Sequence, residues 1–190
     1  AAEGRVVRSP RVDADFASIA ITVSGEAIMG QWDWEGTLES ADGSVAVALA
    51  AMNEISVAQN SAVLYTPEWT WPRPQQQPDA AFISVADGVV ASAGIGYPTG
   101  ARGTYVVARG SAANALRGLA PGDAVTVKVA LRPGFDGLVA AFSGKPILVI
   151  DGCEVPGLLS HTGISAALPA LRTAAGITAD GRTLIFAVVD

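Results

Sequence analysis

Residues 171–190 read LRTAAGITADGRTLIFAVVD, and this stretch fixes the reading of the chain. Residues 172–178 form one arm and residues 183–189 a second, with Ala179-Asp180-Gly181-Arg182 between them. Asp-Gly supplies the positive-φ positions that a tight β-hairpin turn requires. The second arm, TLIFAVV, is rich in β-branched and aromatic side chains and suits a buried strand. Three polar groups sit at the edges of this hairpin: Arg172, Thr173 and Asp190. A guanidinium beside a hydroxyl at a strand start offers donors for a phosphate or carboxylate. With the turn near residue 180, Arg172 and Asp190 are expected near-opposite across the pair. An edge salt bridge is the plainer reading of the same two residues.

Composition bounds the rest. The chain has 190 residues, half of them apolar and 16% charged, so it can bury a core and is not a disordered segment. A net charge of -6 and a sequence pI near 4.7 argue against a nucleic-acid surface. No apolar run of transmembrane length is present. Cys153 is the single cysteine and His161 the single histidine. The first cannot close an internal disulfide, and together they fall short of a zinc site. The residues themselves identify no cofactor. Ala1-Ala2-Glu3 has the pattern left by signal cleavage, which favours an extracellular or periplasmic location and leaves the cytoplasm open.

Strands dominate the remainder. Residues 6–23, which alternate in FASIAITV, suggest two short strands around Ser9-Pro10, and residues 25–43 read as a loop-rich interval. Residues 44–52 (SVAVALAAM) suit either a strand or a buried helix. Residues 62–66 form a strand that Pro67 stops, and residues 81–90 a hairpin around Asp87-Gly88. Residues 104–108 and 124–131 are further strands, with Thr126 and Lys128 on a polar face. Residues 111–119 (SAANALRGL) form the best helix, capped by Ser111 and ended by Gly118. Two more strands flank residues 143–146, and a loop carrying Cys153, Glu154 and His161 follows. The fold class is therefore α+β: mixed and antiparallel sheets with one or two short helices. Residues 1–60 read as an N-terminal β-rich segment and 61–190 as the functional domain, the two forming one continuous unit.

Trp32 and Trp34 are expected to pack at the core edge. Trp69 and Trp71 lie in the Pro-rich stretch EWTWPRPQQQP, where sugar stacking and packing are equally open. GIGYPTG lacks the glycine spacing of a dinucleotide site, Gly144-Lys145 precedes Pro146 rather than Ser or Thr, and no G-x-S-x-G elbow is present. Cys153 and His161 are read as incidental to any chemistry.

The residues just described carry a resemblance. LRTAAGITADGRTLIFAVVD resembles the R-T-A-x-G … D-G … apolar run … D signature of the phosphodiester glycosidase family. AVLYTPEW is similar to the L-Y-T-P strand and loop of its bacterial members. YPTGARGTYVVARGSAANALRGLAPGDAVTVKVAL is similar to their P-x-G … L-x-x-G-D-x-V segment, and FSGKPILVIDG to their G-G-x-P-x-L-V-x-D-G turn. Ser143 and Lys145 replace the usual glycines there. The resemblance spans residues 52–190.

It implies a hydrolase acting on a sugar-1-phosphodiester in an exported or envelope glycan, with Arg172 and Thr173 facing the phosphate and Asp190 catalytic. Trp69 and Trp71 would add sugar contacts. Two departures stand out. The family's His-Pro-Arg-Thr is here Ala170-Leu171-Arg172-Thr173, so the family histidine's role is not carried over to His161. The family pattern also continues past the aspartate into a helix and an N-x-D-G-G-G-S segment that this sequence does not contain. A second polypeptide, or a C-terminal remainder of the same precursor, is expected to complete the fold. A non-catalytic carbohydrate-binding or scaffold protein of the same fold is the alternative, and one subunit of a self-processed hydrolase a third.

Overall fold

The structure, a computed structural model, describes residues 17–69, 77–98, 103–132, 137–144, 146–157 and 171–189. In chain order its elements are β1 (Ala17–Thr22), β2 (Ala27–Gly30), β3 (Asp33–Ser40), β4 (Ala46–Leu49) and β5 (Ala51–Met52). There follow β6 (Ala62–Tyr65), β7 (Ala81–Ala86), β8 (Val89–Ile95), β9 (Thr104–Ala108), α1 (Gly110–Leu116) and β10 (Val125–Arg132). The last elements are β11 (Leu138–Gly144), β12 (Val149–Ile150), β13 (Cys153–Glu154), β14 (Arg172–Ile177) and β15 (Leu184–Val189). Strands dominate, the sheets are antiparallel and mixed, and α1 is the one helix among the described residues. Two compact units divide the chain: one holds β1, β2 and β11–β15, the other β3–β10 with α1.

The second unit is built on a five-stranded sheet ordered β5-β6-β9-β7-β8, antiparallel except for the parallel β5–β6 pair. All four residues of β6 are buried, as a short apolar strand covered on both faces must be. One face carries Val63, Tyr65, Tyr105 and Val107, joined by Val57, Ala80 and Tyr97. Alternation turns Ala62, Leu64, Val106 and Ala108 to the other face. The helix α1 packs against β4, β7 and β9, burying Ala113 and Leu116. A second sheet, ordered β10-β3-β4, completes this unit, and Lys128 Nζ meets Glu39 Oε2 at 2.6 Å between β10 and β3.

Several sequence expectations change. Residues 25–43 hold two strands rather than a loop, because in WDWEGTLES the buried positions Trp34, Gly36 and Leu38 alternate with the more open Glu35, Thr37 and Glu39. Residues 44–52 resolve to strands β4 and β5. Ser111 does not cap α1: the cap position is Arg109, without a side-chain cap bond, and Ser111 N donates to Asn60 Oδ1 at 3.1 Å. Gly110 starts the helix at φ 57, where an added Cβ would lie 2.2 Å from Asn60 Oδ1. Cys153 and Glu154 sit in the short β12–β13 hairpin, turned by Asp151 and Gly152 at positive φ.

In the first unit, β1 lies between β11 and β2, both antiparallel to it. Ser18 and Ser143, paired across β1 and β11, share a hydroxyl contact. The hairpin β14–β15 forms its own two-stranded sheet.

Candidate functional site

The hairpin that opened the sequence reading is present, but its register sets Val189, rather than Asp190, opposite Arg172. Arg172 pairs with Val189, Thr173 with Val188 and Ile177 with Leu184. Its turn is closed by Thr178 N donating to Thr183 O at 3.0 Å and Gly181 N donating to Thr178 O at 2.9 Å. Thr178 Oγ1 donates to Asp180 Oδ1 at 2.6 Å, and Arg182 N donates to the same oxygen at 3.1 Å. Those bonds, the hydroxyl's first, hold the Asp180 carboxyl below the usual carboxylate range. Gly181 alone of the two turn residues takes positive φ, at 68°. Its carbonyl accepts from Ala27 N at 2.9 Å, which ties the turn to the start of β2.

Because successive side chains of a strand point to opposite faces, this register sorts the candidate residues. Arg172 shares a face with Ala174 and Gly176, and across the ladder with Val189, Ala187 and Ile185. Thr173 shares the other face with Ala175, Ile177, Val188, Phe186 and Leu184. Phe186 on that second face stacks on Phe142 of β11, ring centroids 5.6 Å apart. Arg172 is exposed at the start of β14, and its Nη1 donates to the Leu171 carbonyl at 3.1 Å. Its guanidinium can therefore meet an anion from solvent, on a face otherwise lined by small and aliphatic side chains. The residue opposite Arg172 is Val189; Asp190 lies outside the described residues, as do Trp71 and His161.

Trp69 is half-buried and packs on the tyrosine cluster of the five-stranded sheet. Its ring meets Tyr65 edge-on at 5.6 Å, and Tyr65 stacks on Tyr105 at 4.8 Å with 9° between the planes. The Trp69 Nε1 donor is buried with no acceptor among the described residues. Tyr65 donates its hydroxyl to Glu54 O at 2.9 Å, and burial pushes that phenol's pKa up. Trp32 and Trp34 pack as expected: the first ring lies over Gly30, the second over Gly36.

One polar cluster escaped the sequence reading. Arg109 Nε donates to Asp79 Oδ1 at 3.0 Å and its Nη1 to Val57 O at 3.2 Å, while Arg117 Nη2 donates to Asp79 O at 3.1 Å. The Arg109 guanidinium holds the Asp79 carboxyl below its ordinary range. No local pattern announces a pair this distant in sequence. Its bonds to backbone carbonyls make it a brace for α1. Among the described residues, no group of three or more His, Cys, Asp or Glu side chains is placed to hold a metal ion. Among the described residues, too, no helix is long and apolar enough to cross a membrane.

Comparison with known proteins places this geometry. No curated protein matches the chain. The fold recurs in a hypothetical protein from Synechocystis, at TM-score 0.66 and 20% identity, covering 95% of this chain and 34% of that one. It recurs also in a candidate exported protein from Burkholderia pseudomallei K96243, at TM-score 0.61 and 20% identity, covering 97% of this chain and 46% of that one. The chain thus spans less than half the length of either, and the likeness is one of fold. Residues 79–190, more than half the chain and including the whole β14–β15 hairpin, match the phosphodiester glycosidase family. The chain belongs to the phosphodiester glycosidase family.

Proposed function

We propose that the chain forms part of a hydrolase that cleaves a sugar-1-phosphodiester in an exported or envelope glycan. Arg172 binds the phosphate as a bidentate donor, with Thr173 at the adjoining position of the strand. Asp190, with a second carboxylate from further polypeptide, acts at the anomeric carbon as general acid–base or nucleophile. Trp69 and Trp71 contribute to sugar binding from the stretch that follows β6. The observation that carries the reading is the exposed guanidinium of Arg172 at the head of a hairpin inside the family match. Residues 61–190 are the functional domain and residues 1–60 the β-rich segment before it.

Further polypeptide, from a second chain or from the same precursor, covers the β14–β15 hairpin. Support comes from β15 itself: Ile185 and Val189 on one face, and Phe186 and Val188 on the other, are all exposed large apolar side chains. A strand apolar on both faces is the pattern of one buried on both. An exported location accords with the candidate exported protein that shares the fold.

The test is release of free sugar from a synthetic sugar-1-phosphodiester by the native gene product. Turnover that Arg172→Ala lowers by about 10- to 100-fold supports the hydrolase. Glycan binding without turnover would replace it with the carbohydrate-binding alternative.

A further inference from the structure

We draw no further inference here: the strongest candidate, the apolar surface patch that Ile185, Phe186, Val188 and Val189 form on strand β15, carries nothing beyond the covering polypeptide already proposed, because nothing in the structure shows what else would cover it.

Discussion

Phe142 on β11 and Phe186 on β15 stack with their ring centroids 5.6 Å apart and 29° between their planes. With the Ala27 N–H bonded to the Gly181 carbonyl, this contact fastens the β14–β15 hairpin to the β11-β1-β2 sheet at two places, one ring pair and one turn. Both rings remain partly open to solvent, 39% for Phe142 and 61% for Phe186.

The aromatic pair is therefore expected to stabilise the hairpin modestly. Phe142→Ala and Phe186→Ala should each lower stability by about 1–2 kcal/mol, below the range for a fully buried phenylalanine. A double-mutant cycle in urea should return a coupling of about 0.5–1.5 kcal/mol. Zero coupling would mean that the stacking does not hold the hairpin.

Gly181 is the second fastening. A Cβ there would lie 3.0 Å from the Ala27 carbonyl oxygen, and the residue sits at φ 68. Gly181→Ala should cost more than 1 kcal/mol, through left-handed backbone strain together with the loss of room. Hydrogen exchange should localise the damage, with the Ala27 and Thr178 amides losing protection before those of β6 and β9. Uniform loss across the chain would contradict this.

Gly36 tests an aromatic contact of another kind. A Cβ at this position would come within 2.6 Å of a Trp34 ring carbon and 3.0 Å of the Leu49 Cβ. Trp34 is buried, so its ring has little freedom to retreat. Gly36→Ala should destabilise by about 1–3 kcal/mol through overpacking and change the near-ultraviolet circular dichroism of the tryptophans. An unchanged spectrum at unchanged stability would show that the ring does not lie over this glycine.

How far the sequence foretold the molecule depends on which signal each residue carried. The β14–β15 hairpin, with its arms at 172–177 and 184–189, was legible because Asp180-Gly181 and a β-branched run are local signals. The β7–β8 hairpin around Asp87-Gly88 was legible for the same reason. Strands β2 and β3 were not, since glycines and tryptophans disguise the alternation. There the glycines are the seats of the aromatic rings: Trp32 over Gly30 and Trp34 over Gly36. The start of α1 was misplaced because Asn60, far back in the chain, supplies the acceptor that a local cap would have given. At the site, the alternation that sets Arg172 and Thr173 on opposite faces follows once the strand is known.

Acid should weaken the fold through its turn carboxylates. Asp42 accepts from Ser40 Oγ at 2.6 Å, Ser44 N at 3.0 Å and Ser44 Oγ at 2.8 Å, and these bonds lower its pKa to about 2. Asp79 and Asp180 are shifted the same way. A carboxyl whose folded pKa lies below its unfolded value stabilises the fold above the unfolded value, and that contribution fades as pH falls toward the folded one. The melting temperature should accordingly drop between about pH 4 and pH 2. Asp42→Asn should remove part of the drop while changing little of the remaining profile. A melting temperature flat through this window would show that these bonds persist in the unfolded chain or do not form.

The sharpest functional expectation concerns Arg172. It is exposed at the start of β14, and its cross-strand partner is Val189. Arg172→Ala should therefore leave the melting temperature within about a degree or two, as surface substitutions usually do. A charge-assisted bond to a phosphate contributes about 1.5–3 kcal/mol, so the same change should reduce kcat/KM on a sugar phosphodiester by about 10- to 100-fold. Arg172→Lys keeps the charge and loses the planar fork, and should recover only part of that loss. Thr173→Val, on the opposite face, should cost less than Arg172→Ala. If Arg172→Ala and Arg172→Lys turned over substrate at the parent rate, the guanidinium would be an ornament of the strand edge, and the phosphate would have to be sought elsewhere.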